Sequence, residues 1–393
     1  MVGGVSFLIS TIYSDKEGVK HEIWYRTTKE WAPFLTDEVA DAFVLPMLLV
    51  ALRNQEDIVI EAPLSEKLYY NIKNNILYTL SIPLKVSYKL DVKCDGLVTP
   101  DYHPYAVGCG CSLGVDSFSA MIRHMSDDCP KSFRITHLTN FNVGAYGNDI
   151  EKAEAFYQES LTDVRQYAQE KGLPLVTLES NFGQFFEGDN FNWCGPIRTM
   201  SAVLAMQKLF KYYYYASGTT NKDYKYSKTM CEFASLLIPL FSTGNTEFIV
   251  ADQDRDRIQK TMSIVDDSYA QKYLDVCWKK VWANNRGRTD LLEIPFRNCT
   301  RCGKCIRTLL TIDAMGYLDK FSGIFDVEYF KSHKDDIVSE YIRLKDADHY
   351  HREVYDFLVE HNYQMPEIKV SRKTIIKGFL RKIKDILIKN DTD

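Results

Sequence analysis

The sequence predicts an α/β protein: a parallel sheet with crossover helices, a small α+β unit before it and a cysteine-bearing subdomain after its strands. Three observations carry this. From Pro104 to Ala216, short β-prone segments alternate with helical patterns, as strands joined by crossover helices do. Residues 1–103 read as a hairpin followed by two helices and two further strands, a small α+β unit. Beyond the alternating region, Cys299, Cys302 and Cys305 stand at successive two-residue gaps.

Size and composition bound the rest. A chain of 393 residues suggests two or three domains, each able to bury a core. The net charge of −5 gives no case for general nucleic-acid binding. Met1–Ser10 lacks a basic n-region, and the longest apolar run, Phe43–Leu52, is too short to span a bilayer. A cytoplasmic protein is therefore expected. Ten cysteines in that compartment point to metal or redox chemistry and away from a disulfide framework.

In chain order, Val5–Tyr13 and His21–Thr27 read as a hairpin around the turn residues Ser14–Gly18. Asp37–Arg53 has one apolar face (Val39, Phe43, Met47, Leu48, Ala51) with Thr36 as its N-cap. Asp57–Glu61 reads as a strand, Ser65–Leu80 as a helix and Leu84–Val92 as another strand. This unit, 1–103, clusters no His, Cys or acids, and a substrate-selecting or dimerising role is the expectation for it. In the second region, 104–316, strands are expected at Tyr105–Val107, Phe133–Phe141, Leu173–Leu178 and Tyr212–Ala216. Helices are expected from Val115, over Asp149–Lys171 and over Pro196–Leu209. Loops following parallel strands share one face, where such sheets bind ligands.

The most informative of these loops runs from Gly108 to Ser117. A strand, a Gly/Ser-rich turn and a helix N-terminus present converging N–H groups, an anion site most often used for phosphate. No Lys follows Gly114, which excludes the Walker loop, and Leu113 replaces the third Gly of the dinucleotide fingerprint. Ser112-Leu113-Gly114-Val115-Asp116-Ser117 instead resembles the Ser-Gly-Gly-x-Asp-Ser loop of the N-type ATP pyrophosphatase (PP-loop) superfamily. The resemblance implies an adenine nucleotide alpha hydrolase-like sheet. It further implies that this loop clasps the pyrophosphate of ATP, and that Asn142 and Val143 lie at the adenine. Other residues suit phosphate contact: Arg198 on the helix before the fourth strand, the Ser217-Gly218 turn, and Arg257 with Lys260, three apart on one helical face. Asp252 or Asp254 could help to place Mg²⁺, which binds through one or two carboxylates plus phosphates.

Cys299, Cys302 and Cys305 supply three corners of a tetrahedral site, and Cys277 is the best fourth ligand, ahead of Cys231 and Cys194. Zinc is the expected ion and an Fe–S cluster its main rival. The pairing of this cluster with the 112–117 loop is similar to the 7-cyano-7-deazaguanine synthase branch of the superfamily. There a Cys-aromatic step precedes the cluster, as Cys277-Trp278 does here, and an Arg follows it, as Arg307 does. The resemblance covers about 104–316. It implies a structural zinc and an ATP-dependent ligase, which adenylates a carboxylate or amide oxygen and lets a nitrogen nucleophile, such as ammonia, displace AMP. Ser112, Asp116 and Ser117 would be its catalytic residues. Two alternatives stay open: a PP-loop sulfurtransferase using Cys109 and Cys111, and a nucleotide-binding module without turnover.

The third region, 317–393, is expected to be helical. Within it Ser371–Asn390 carries an apolar stripe (Ile375, Ile376, Phe379, Leu380, Ile383, Ile386, Leu387) flanked by lysines and Arg381. Such a basic amphipathic helix suits its own domain, a partner or an anionic membrane surface. A small-molecule substrate and a homodimer complete the expected partners.

Overall fold

The computed structural model describes residues 4–14, 18–147, 150–186, 191–227 and 229–366. The strands are β1 (Val5–Ser14), β2 (Val19–Thr28), β3 (Ile58–Ser65), β4 (Val92–Val98), β5 (Ala106–Gly110), β6 (His137–Asn142), β7 (Leu175–Ser180), β8 (Phe210–Ala216) and β9 (Glu247–Ala251). The α-helices up to the sheet's last strand are α1 (Asp41–Asn54), α2 (Glu66–Asn71), α3 (Leu77–Leu84), α4 (Val115–Met125), α5 (Ile150–Lys171), α6 (Phe191–Leu204) and α7 (Ala234–Leu237). After it come α8 (Arg257–Met262), α9 (Ser268–Tyr273), α10 (Lys279–Arg286), α11 (Gly303–Ala314), α12 (Val327–Ser332), α13 (Lys334–Leu344) and α14 (His349–Glu360).

The expected α/β architecture is present as a seven-stranded sheet in the order β1-β2-β7-β6-β5-β8-β9. The five strands from β7 to β9 are parallel, and β1 and β2 run antiparallel at one edge. β3 and β4 form a separate parallel pair. Strand order reverses at β5: β6 lies on one side of it and β8 on the other. The loops leaving β5 and β8 therefore flank one crevice at the carboxyl ends of the strands.

The N-terminal hairpin forms as expected, yet it extends the central sheet through β2 and β7, with Tyr25 opposite Ser180 and Thr27 opposite Leu178. Side chains lock this junction. Thr27 Oγ1 donates to the Thr177 carbonyl at 2.6 Å, and Trp31 Nε1 donates to that of Leu175 at 3.2 Å. Ile23, Tyr25, Leu45, Leu48 and Leu49 belong to the same buried core as Met200, Val203, Leu204 and Phe210. Residues 1–327 form one compact unit and 328–393 another. Within the second unit, α13 and α14 bury Val338, Tyr341, Val354, Phe357 and Leu358. Ser371–Asn390 lies outside the described residues.

Local departures from expectation have local causes. The first helix begins at Asp41, because the Thr36 N–H donates to the Ala205 carbonyl at 2.9 Å and that of Ala40 to Pro63 at 2.9 Å. Leu84–Val92 is not a strand: Lys85 closes α3 in the left-handed region, and the strand starts at Val92. The helix expected from Pro196 begins at Phe191, with Pro196 inside it.

Asp41 ties the first hundred residues to the sheet. Buried, it accepts from the Ser65 N–H at 2.9 Å, from the Ser65 hydroxyl and from Gln207 Nε2 at 2.8 Å. Gln207 Oε1 in turn accepts from Thr243 Oγ1 at 2.7 Å. Removing the carboxyl strands three buried donors, so Asp41→Ala should lower stability by about 2–4 kcal/mol in urea unfolding. Burial raises the Asp41 carboxyl above its ordinary range. Its contribution is thus full below the unfolded carboxylate pKa and lost as pH rises through the raised folded value; the variant should lack that slope.

Candidate functional site

β5 ends at Gly110, and the chain turns through Cys111–Gly114 into α4. The turn needs one left-handed residue, and Leu113 supplies it with φ +57. A leucine held there carries a strain of order 1–3 kcal/mol. Its side chain is buried, and its carbonyl accepts from the Asp275 N–H at 2.8 Å. Ser112 and Ser117 face each other across the turn, Oγ to Oγ at 3.3 Å. The Gly114 N–H donates to Ser112 Oγ at 3.3 Å, and Ser117 Oγ donates to the Gly114 carbonyl at 3.2 Å. Both hydroxyls therefore stand at the N-terminus of an eleven-residue helix, whose dipole favours an anion there.

Two cations meet this helix start. α8 opens with a capping box, Asp256 to Gln259, which sets the helix so that Arg257 and Lys260 share a face. Arg257 Nη2 donates to Asp116 Oδ2 at 2.7 Å, and Lys260 Nζ lies 3.8 Å from Asp116 Oδ1. Lys260 also donates to the Ser217 carbonyl at 2.6 Å, fixing the turn after β8. Gly218 leaves room there: a Cβ at this position would stand 3.9 Å from both Arg257 Nη2 and Asp116 Oδ2. Burial lowers the Lys260 pKa, opposed by the Asp116 charge. Asp116 Oδ1 and Arg257 Nε are buried and carry no hydrogen bond. The expected residues Ser112–Ser117, Ser217, Gly218, Arg257 and Lys260 thus converge at the reversal of strand order.

Lys304 was not singled out in the sequence. It begins α11 beside the cysteines, with Nζ 4.5 Å from the Trp278 ring centroid. Burial, then the charge of Arg257, depresses it to about 8, and Asp116 and Arg307 also act on it. The signal available was its place between Cys302 and Cys305, where a helix start turns its first side chains toward neighbouring loops.

Other expected residues have different surroundings. Arg198 is buried, its Nη1 donating to the Val143 carbonyl at 3.3 Å and its Nε to Cys194 Sγ at 3.0 Å. Gly144 permits this approach, because a Cβ there would lie 2.2 Å from Nη1. Arg198 therefore braces the loop after β6. Asn142 Nδ2 donates to Glu154 Oε2 at 3.0 Å and to Glu179 Oε2 at 3.3 Å. Asp252 and Asp254, expected near Mg²⁺, are instead held by Arg123 Nη1 at 3.1 and 2.6 Å, and Asp252 also accepts from Ser119 Oγ at 2.6 Å. A cation on α4 thus takes both carboxylates. Cys109 and Cys111 are fully buried, and burial pushes the Cys111 thiol up to about 12 and that of Cys109 higher still.

The cysteine cluster assembles as expected. The sulfurs of Cys277, Cys299, Cys302 and Cys305 all lie within 4.8 Å of one another, with Cys302 and Cys305 at 3.4 Å and Cys299 and Cys305 at 3.9 Å. An ion bound tetrahedrally at about 2.3 Å separates its sulfurs by roughly 3.8 Å, so the four can hold one metal ion. Backbone N–H groups of Lys279 and Cys299 donate to Cys277 Sγ, each at 3.3 Å, and that of Cys302 donates to Cys299 Sγ at 3.3 Å, as thiolate ligands require. Cys194 and Cys231 are engaged elsewhere, with Arg198 and with the Tyr215 hydroxyl at 3.5 Å. Among the described residues, no helix is long and apolar enough to cross a membrane.

No protein-family model, curated protein or solved structure matches the chain. Metal analysis of the purified chain should give one ion per molecule. Cys277→Ser should lose most of it and lower the melting temperature, whereas Cys109→Ser should retain it.

Proposed function

We propose that the chain is an ATP-dependent ligase of the PP-loop type, which adenylates a carboxylate or amide oxygen and releases pyrophosphate. The observation that carries this reading is the meeting of Arg257 and Lys260 with Asp116 at the N-terminus of α4, in the crevice where strand order reverses. Backbone N–H groups at 115–117 and the hydroxyls of Ser112 and Ser117 suit a pyrophosphate. Arg257 and Lys260 neutralise the charge that develops as the bond from the α-phosphorus breaks. Asp116 keeps both cations aimed into the crevice before ATP arrives. Mg²⁺ supplies Lewis-acid stabilisation of phosphate oxygens when bound; Asp116, with one oxygen free of hydrogen bonds, is the carboxylate that fits it, while Asp252 and Asp254 are committed to Arg123.

In this reading the acceptor oxygen attacks the α-phosphorus, pyrophosphate leaves, and a nitrogen nucleophile then displaces AMP from the activated carbon. No side chain forms a covalent intermediate, so catalysis rests on positioning and electrostatics. The burial of Cys109 and Cys111 favours this ligase over sulfur transfer, which needs an accessible thiolate. Zinc is the ion proposed for the four thiols, and its role is structural: four protein ligands leave no open position.

Three experiments test the scheme. With α-labelled ATP, Mg²⁺ and a metabolite extract, AMP and pyrophosphate are expected; ADP and phosphate would refute it, and binding without turnover would favour a nucleotide-sensing module. Asp116→Ala should abolish turnover with the metal retained. Arg257→Ala should weaken ATP binding by roughly ten- to a hundredfold in calorimetry, the loss of a charge-assisted contact.

A further inference from the structure

Among the described residues, β1 is a sheet edge with none of the usual protection. Natural edge strands are kept from pairing by charges, prolines, bulges or shortness. Val5–Ser14 contains no charged residue, no proline and no glycine, and its ten residues pair with β2 without a bulge. β9, at the opposite edge of the sheet, is half as long at five residues. Leu8 and Ile12 face the core, while Val5, Phe7, Ile9 and Tyr13 point outward and are about half exposed, Ile9 at 54%. Phe7 packs edge-on to Trp24 with ring centroids 5.7 Å apart, so the apolar row continues onto β2.

We propose that β1 pairs antiparallel with β1 of a second copy of this chain, about a two-fold axis through Ile9. The sequence of the strand selects this occupant. Antiparallel pairing about Ile9 sets Val5 opposite Tyr13, Phe7 opposite Thr11 and Ile9 opposite its own mate on the outer face. These aromatic and β-branched pairs are the ones that stabilise neighbouring strands. On the inner face Leu8 meets Ser10 and Ser6 meets Ile12, so each large side chain faces a small one. With no charge along the strand, two-fold pairing brings no like charges together. The row is therefore complementary to its own reverse, the property an isologous interface requires. Ten residues are well short of the 20–30 that each side of a standard interface uses, so the dimer is concentration-dependent rather than obligate.

Sedimentation velocity on the full chain between about 1 and 100 µM tests this. The mass should rise toward twice that of the monomer. Ile9→Lys and Ile9→Glu should each remain monomeric, since each places like charges on the axis, and an equimolar mixture of the two should dimerise again. Ile9 is half exposed, so both variants should keep the parental circular dichroism; should either melt early, Thr11→Lys, at an exposed position opposite Phe7, replaces it and should also weaken self-association. A wild-type chain monomeric throughout, a charged variant that still dimerises, or a mixture that stays monomeric would each overturn the proposal. The last outcome, with a wild-type dimer, would place the axis elsewhere.

Discussion

The hydrogen bond from the Asp275 N–H to the Leu113 carbonyl, 2.8 Å long, joins the turn at the start of α4 to the segment that enters the cysteine cluster. On one side is the turn that presents Ser112, Asp116 and Ser117; on the other is the segment that enters the cysteine cluster at Cys277. The bond forms because Leu113 adopts a left-handed conformation that rotates its carbonyl toward Asp275. Asn298 stiffens the same junction, with Oδ1 accepting from the Val276 N–H at 2.9 Å and Nδ2 donating to the Leu274 carbonyl at 2.8 Å. A metal held by Cys277 and Cys299 would therefore fix both ends of the strap that supports the turn. Strain at Leu113 persists because buried packing and this strap over-determine it.

Electrostatics at the crevice follow from burial. Asp116 faces Arg257 and Lys260 directly, and Lys304 acts on it from the start of α11. One carboxylate thus stands among three cations, of which Lys260 is almost wholly buried. Burial depresses both lysines, and the Asp116 charge opposes it at each. In the proposed reaction the triphosphate supplies further negative charge. Asp116 then acts as a placeholder that holds the cations in register while the crevice is empty.

Local patterns made part of this legible. The glycine and serine spacing at 108–117, the two-residue gaps between cysteines and the alternation after Pro104 are short-range signals, and each element formed within a few residues of its expected bounds. What sequence did not reveal depends on distant partners. The charged run at 252–260 splits by function: Arg257 and Lys260 turn to Asp116, whereas Asp252 and Asp254 are taken by Arg123, about 130 residues earlier in the chain. Nothing at 252–254 encodes that choice. Arg198 has the composition of a phosphate ligand, but Gly144 lets its guanidinium close on a backbone carbonyl. The N-terminal hairpin was readable as a hairpin. Its attachment to β7 rests on Tyr25 and Thr27 being buried by residues 150 positions away.

That attachment has a consequence for the rim of the sheet. β2 runs antiparallel to β7, so Arg26 comes to lie opposite Glu179 at the carboxyl end of the parallel strands, with Nη2 2.9 Å from Glu179 Oε2 and 3.7 Å from Glu154 Oε1. Burial raises the Glu179 carboxyl and the neighbouring Glu154 adds to this, while Arg26 opposes both. The rim is therefore polarised. Cations gather over β5 and β8, and two carboxylates with one arginine gather over β6 and β7. The hairpin thus sets Arg26 beside the two carboxylates at that end. An N-terminal segment without His, Cys or acid clusters of its own reaches the carboxyl end of the parallel strands through the register of a single pair of strands.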